Sequence, residues 1–327
     1  MNVKSSTIRA WSRLGQRGSV FAIAMPEIAK ENNRVKLLTA DLALLSGMDR
    51  FIAACPDQFL NVGIAEQNMI GIASGLAMEG YTVFATTYAS FIAVRSLEHV
   101  RQHLSHMQCN VKLIGSSAGV VAAKSGVSHH ATEDIAFMRA LPNMTVLSAA
   151  DSLSAIKMAQ YAADMKGPVY IRLSGGLNCP IVYKEDYEFE AGKMICLSEG
   201  EDVALIATGL MVAESIEAAG ILAEKGISAS VYDLHTIKPL DRETLDKIFA
   251  KHRLIVTVEE HNVIGGMGSA VAEYKAAVEN APRQLFIGFQ DAFAVAGSQR
   301  YIWEQTGLTA PQIAETVADT LNAKQHE

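Results

Sequence analysis

Short runs of β-branched and apolar residues alternate with longer stretches of helical period along most of the chain. The runs predict strands at Val35–Ala40, Thr82–Ala85, Val111–Gly115, Thr145–Leu147 and Val169–Leu173. Between them, apolar residues three and four apart predict helices at Ala65–Met78, Ala89–His106, Thr132–Ala140 and Ser152–Asp164. Near-continuous apolar strands separated by helices require a parallel sheet covered on both faces. Around Gly175 the rhythm breaks. Residues Gly175–Gly200 carry glycines, Pro180 and the acidic Glu185, Asp186, Glu188 and Glu190 with no clear period, which predicts a linker. The rhythm resumes with strands at Val203–Ala207, Ser228–Asp233, Leu254–Glu259 and Gln284–Gly288, and helices near Val212–Lys225, Asp241–Lys251 and Gly268–Val278. The expected fold class is α/β, with two domains in series, each a mostly parallel sheet with helices on both faces. The first spans 1–190 with the linker at its end, and the second 191–327.

Composition narrows the function more than the fold. Half of the 327 residues are apolar and 19% are charged, enough for two buried cores. A net charge of −7 with no Lys- and Arg-rich arm argues against nucleic acid and anionic membranes as partners. No apolar run approaches the roughly 18–20 residues that span a bilayer, and Met1–Gly18 lacks the apolar stretch of a signal peptide. Cys55, Cys109, Cys179 and Cys196 are scattered, with no Cys-x-x-Cys, so reduced thiols and a cytoplasmic location are expected.

Candidate chemistry concentrates in Asn61–Gly80, NVGIAEQNMIGIASGLAMEG. Glu66 is the only acidic residue between Asp57 and Glu79, and it opens a mostly apolar helix. A lone glutamate there is favoured simply by the helix dipole. Gly71 and Gly75, four apart, clear one helix face so that another backbone can approach. Each costs roughly 0.5–1 kcal/mol against alanine inside a helix, so a tight contact is expected to compensate.

The segment resembles the one in transketolases that carries the glutamate acting on thiamine diphosphate. The resemblance continues through ATTYASFIAVRS, GVSHHATEDIAFMRALPNMTVLSAAD, DVALIATG, LHTIKPLD and VEEHNVIGGMGSAVAE, in the family's order over nearly the whole chain. It implies that Glu66 bonds N1′ of the aminopyrimidine, and that the proton shared there lets the exocyclic nitrogen take the C2 proton of the thiazolium. It further implies that Tyr88 and Phe91 lie against the pyrimidine and that His129 contacts sugar hydroxyls. By spacing alone, Tyr88 and Phe91 read equally well as core aromatics.

Two departures from the family pattern matter. No Gly-Asp-Gly occurs in this sequence, so the motif that holds the diphosphate through Mg²⁺ is missing. The resemblance therefore implies an N-terminal transketolase subunit as partner, carrying that motif and the Mg²⁺, with the cofactor shared across an α2β2 assembly. The helix after Glu66 is the expected interface. At the sugar end, Ser117 stands at the family's upstream histidine, Ser125 at its aspartate, and Gly175 at its phosphate-gripping arginine. Arg172, three residues earlier, either takes over a phosphate contact or faces the other side of the sheet. An altered ketose is expected: branched, deoxy, sulfonated or unphosphorylated.

Other features read as structural. His99, His103 and His106 share a helix face without an accompanying carboxylate or cysteine, and His129-His130 with Glu133 is an equally weak metal pattern. GGMGSA (Gly265–Ala270) lacks the full dinucleotide spacing. Glu259, Glu260 and His261 read as exposed loop groups. Two other functions share the architecture: the β subunit of a 2-oxoacid dehydrogenase E1 component, and a catalytically silent scaffold subunit. A deoxyxylulose phosphate synthase, ordinarily one full-length chain, ranks below them.

Overall fold

The computed structural model describes residues 3–323; positions 1–2 and 324–327, the outer ends of the two expected spans, lie outside them. Twelve strands are present among the described residues: β1 Val35–Thr39, β2 Phe59–Asn61, β3 Thr82–Tyr88, β4 Val111–Ser116, β5 Thr145–Ser148, β6 Val169–Leu173, β7 Ile195–Ser198, β8 Val203–Ala207, β9 Ala229–Asp233, β10 Thr236–Lys238, β11 Leu254–Asn262 and β12 Arg283–Phe289. They form a seven-stranded sheet, β10-β5-β6-β4-β3-β1-β2, and a five-stranded one, β12-β11-β8-β9-β7. Every pairing is parallel except the edge strands β10 on β5 and β7 on β9.

Alternation along the strands of the first sheet explains why they read as continuous apolar runs. Leu37, Ile114, Leu147 and Ile171 pack on one face with Trp11, Phe21 and Ile156. Leu38, Leu113, Val146 and Tyr170 pack on the other with Met69, Ile92 and Ile135. The helix Ser152–Asp164 starts at a capping box. Asp151 accepts from the Ser154 amide, and the Ser154 hydroxyl accepts from the Asp151 amide.

The expected helix Ala89–His106 is broken into Phe91–Arg95, Leu97–His99 and Val100–His106, the first and last in wide π turns, with a non-helical Ser96 between. Such turns concentrate where side chains must be re-aimed. The N-terminal helices Ser5–Ser19 and Met25–Glu31 and the C-terminal Gln299–Thr306 and Ala310–Asn322 lie outside the elements expected from the pattern.

The carboxyl ends of the two sheets face each other. A Cβ at Gly209, just past β8, would lie 3.1 Å from the Ser148 hydroxyl and 3.4 Å from that of Ser174, both of the first half. In the second sheet the order changes direction between β8 and β11, the crevice where open α/β sheets take ligands. Here Arg172 of the first half fills it. Its guanidinium donates 2.9 Å to the Glu260 carbonyl and 3.2 Å to that of Ala131, and its Nε pairs with Asp134 at 2.9 Å.

Candidate active site

Glu66 opens the helix Glu66–Met78 and is 4% exposed. One carboxylate oxygen accepts from Arg95 at 2.7 Å; the other accepts no hydrogen bond among the described residues. The Arg95 guanidinium also lies 4.1 Å from the centre of the Phe91 ring, so it ties the buried acid to an aromatic group. Tyr88, the last residue of β3, meets Phe91 edge-on at 5.7 Å. His129 completes the set, 5.4 Å from Tyr88 and 5.2 Å from Phe91. A cleft of about 430 Å³ opens beside these rings, lined by Phe91, Arg95, Ser128, His130, Glu133 and, from the second half, Phe293.

Ser117 follows β4 with φ 54°, a left-handed conformation that non-glycine residues seldom adopt. Its hydroxyl accepts from Arg17 at 3.2 Å. Arg17 is aimed there by a break in its own helix. Gly15 has φ 71°, and Gln16 bonds the Gly175 amide at 2.7 Å and the Ala149 carbonyl at 2.7 Å. Burial lowers the Arg17 pKa. Among the described residues no carboxylate pairs with it.

The structure thus brings Glu66, Tyr88, Phe91 and His129 together and sets Ser117 with Arg17. Ser125 sits exposed on the turn Ala123–Ser125, with no hydrogen bond to its hydroxyl among the described residues. Arg172 takes the second of its two expected orientations: 1% exposed and paired with Asp134, it faces the second sheet. Arg17 and Arg95 were not picked out by sequence reasoning. Arg95 had a signal, since it follows Phe91 by four residues, the spacing that stacks side chains on a helix.

Glu259, Glu260 and His261 are not exposed loop groups; all lie buried on β11. Glu259 accepts from the Met267 and Gly268 amides at 2.6 and 2.9 Å, so the GGMGSA turn presents its helix start to an internal carboxylate. Desolvation pushes Glu259 and Glu260 up to about 7 and His261 down to about 4. No group of three His, Cys, Asp or Glu among the described residues could hold a metal ion. Gly71 and Gly75 are exposed, and a Cβ at either would meet nothing within 4 Å, so no close contact among the described residues compensates for them. No helix among the described residues is long and apolar enough to cross a membrane.

Comparison with known proteins matches residues 17–179 to the family "Transketolase, pyrimidine binding domain" and 192–313 to "Transketolase, C-terminal domain". A putative transketolase C-terminal section of Methanocaldococcus jannaschii is 38% identical, over 90% of this chain and 93% of that protein. A 6-deoxy-6-sulfo-D-fructose transketolase subunit of a Clostridium species is 39% identical, over 91% of this chain and 92% of its own. An apulose-4-phosphate transketolase subunit of Phocaeicola vulgatus is 36% identical over 91% of this chain and 95% of its own. A solved split-gene transketolase, described as an inactive β4 tetramer, superposes with TM-score 0.85 at 39% identity, covering 94% of this chain and 98% of that one. Of a 1-deoxy-D-xylulose-5-phosphate synthase from Chlorobium phaeovibrioides, 33% identical, the chain spans 47%.

Proposed function

The chain belongs to the transketolase family, and from that premise we propose that it supplies the pyrimidine side of a thiamine-diphosphate site shared with a second subunit. The pair transfers a two-carbon ketol unit from a ketose to an aldose. The observation that carries this reading is Glu66: a buried carboxylate with one oxygen held by Arg95 and one free, beside the cluster of Tyr88, Phe91 and His129. That donor set fits an aminopyrimidine, which needs one buried acid at a ring nitrogen and aromatic walls. When bound, thiamine diphosphate supplies the carbon nucleophile that cleaves the ketose. Glu66 holds and returns the proton at N1′. Arg95 fixes its orientation, and Tyr88 and Phe91 exclude water from the ring.

His129 and Ser125 face sugar hydroxyls, while Arg17 and Ser117 form the anion-binding end. A partly buried guanidinium with only a hydroxyl for company is stabilised by an anionic ligand. The sulfonated and phosphorylated sugars in the relatives' names both carry such a group. The lack of Gly-Asp-Gly in this sequence supports an N-terminal subunit as the holder of the Mg²⁺ and diphosphate. The open face at Gly71 and Gly75 is where that subunit docks, in an α2β2 assembly of domains 1–190 and 191–327 with the partner.

The test is reconstitution with a second chain that carries Gly-Asp-Gly, in thiamine diphosphate and Mg²⁺. Sulfonated, phosphorylated and neutral ketoses are offered with an aldose, and 2-oxoacids with a lipoyl acceptor. Ketol transfer abolished by Glu66→Gln supports the reading. Turnover of oxoacids alone assigns the chain to the 2-oxoacid dehydrogenase class, and cofactor binding without turnover makes it a scaffold.

A further inference from the structure

The segment between β4 and the helix Asp134–Ala140 carries Ser117, Ser125 and His129. Its neck is an antiparallel bridge in which Gly119 and Ala131 exchange two hydrogen bonds of 2.9 Å. Groups from the second half of the chain hold this neck. The Val120 amide lies 3.5 Å from Glu260 Oε1, and the Asn262 amide donates 2.7 Å to the Thr132 carbonyl. Gly119 has φ 63°, and a Cβ there would sit 2.1 Å from Glu260 Oε2, so the carboxyl occupies the space of the missing side chain.

Glu260 is itself aimed from the C-terminal helix Gln299–Thr306. Its Oε1 accepts from Trp303 Nε1 at 2.7 Å and from Gln299 Nε2 at 2.9 Å. Its Oε2 is buried and accepts no hydrogen bond among the described residues. Leaving a buried carboxyl oxygen without a donor is destabilising, and a stability role alone gives no reason for it.

We infer that Glu260 is a positioning residue for the sugar end of the site: it seats the neck of the 119–131 loop and so keeps His129 packed against Tyr88 and Phe91. The functional half of this inference rests on the reading of His129 given above; the clamp does not.

Amide hydrogen exchange on the full chain tests the clamp. Glu260→Ala is expected to speed exchange at Gly119 and Ala131 roughly tenfold or more, with β3 and β6 unchanged. Glu260→Gln, whose amide oxygen still accepts from Trp303 and Gln299, should stay within about twofold of the native chain. Gly119→Ala speeds loop exchange in the native background and does so less beside Glu260→Ala, because the carboxyl it strikes is gone. Additive effects, or loop amides that follow global unfolding alone, overturn the clamp. In the reconstituted complex, Glu260→Ala raises KM for the ketose about tenfold, while kcat and the thiamine diphosphate requirement stay within about threefold. A faster loop with unchanged KM overturns the positioning role. A native complex inert to every ketose refutes the enzyme reading, and the exchange cycle still decides the clamp.

Discussion

Replacing Arg172 by methionine tests the bond between the two halves of the molecule. The guanidinium and the Asp134 carboxylate are each 1% exposed, and Tyr170 also donates to Asp134 at 2.6 Å. Removing one partner of such a pair leaves a buried charge uncompensated, at about 3–5 kcal/mol. The carbonyls of Ala131 and Glu260 each lose a donor as well, Ala131 keeping the Gly119 amide, so about 4 kcal/mol is expected. For domains of this size that corresponds to a fall in Tm of roughly 8–16 °C. Urea and thermal unfolding followed by circular dichroism measure it, and the transition should broaden or split, because the lost donor to the Glu260 carbonyl joins the first half to the second sheet. The double variant Asp134→Leu/Arg172→Met removes both charges and is expected to regain about half of the loss. A single variant within about 1 kcal/mol of the native chain, or a double variant no better than the sum of its singles, refutes the reasoning.

Glu66→Gln should lower ketol transfer in the reconstituted complex by roughly 10²–10⁴ with circular dichroism and Tm unchanged; native turnover would remove the proton-handling role. Arg17→Met should raise KM for an anionic ketose roughly 10- to 100-fold and leave a neutral ketose within about threefold, read from initial rates. Glu260 rises from 4.5 to about 7 on folding, so it contributes stability that is full below pH 4.5 and is lost as pH climbs through 7. This is worth about 3 kcal/mol by pH 9, and Glu260→Gln should flatten that part of the urea-denaturation profile. Gly71→Leu with Gly75→Leu should leave the isolated chain's Tm unchanged or slightly higher, since both sites are open, and should weaken partner association at least about tenfold by calorimetry.

Nine of the twelve strands among the described residues were legible because burial on two faces demands unbroken apolar runs, and Val169–Leu173 and Val203–Ala207 coincide with the observed strands; the short edge strands β2, β7 and β10 were not expected. Glu66 and the aromatic pair were legible because they share two short phrases. What escaped depends on distant partners. Arg172 could face either way until Asp134, 38 residues off, settled its side. Glu259-Glu260-His261 has the local look of a solvated turn; its burial is made by helix amides at 267 and 268, by Trp303 and by Arg172. The break after Phe91 is likewise invisible to a 3.6-residue period, which runs smoothly through Ser96.

The three-residue strand β10 belongs by position to the second half, yet it closes the edge of the first sheet against Leu147 and Val146. From it Lys238 reaches back to the carbonyls of Arg139 and Leu141. A fragment ending at residue 190 would bare β5 along its length and strip the last turn of a helix of its cation, inviting strand-to-strand aggregation. Heterologous production of the first domain alone, or a chimera joined at the linker, therefore has to carry residues 236–238 with it or supply another cover.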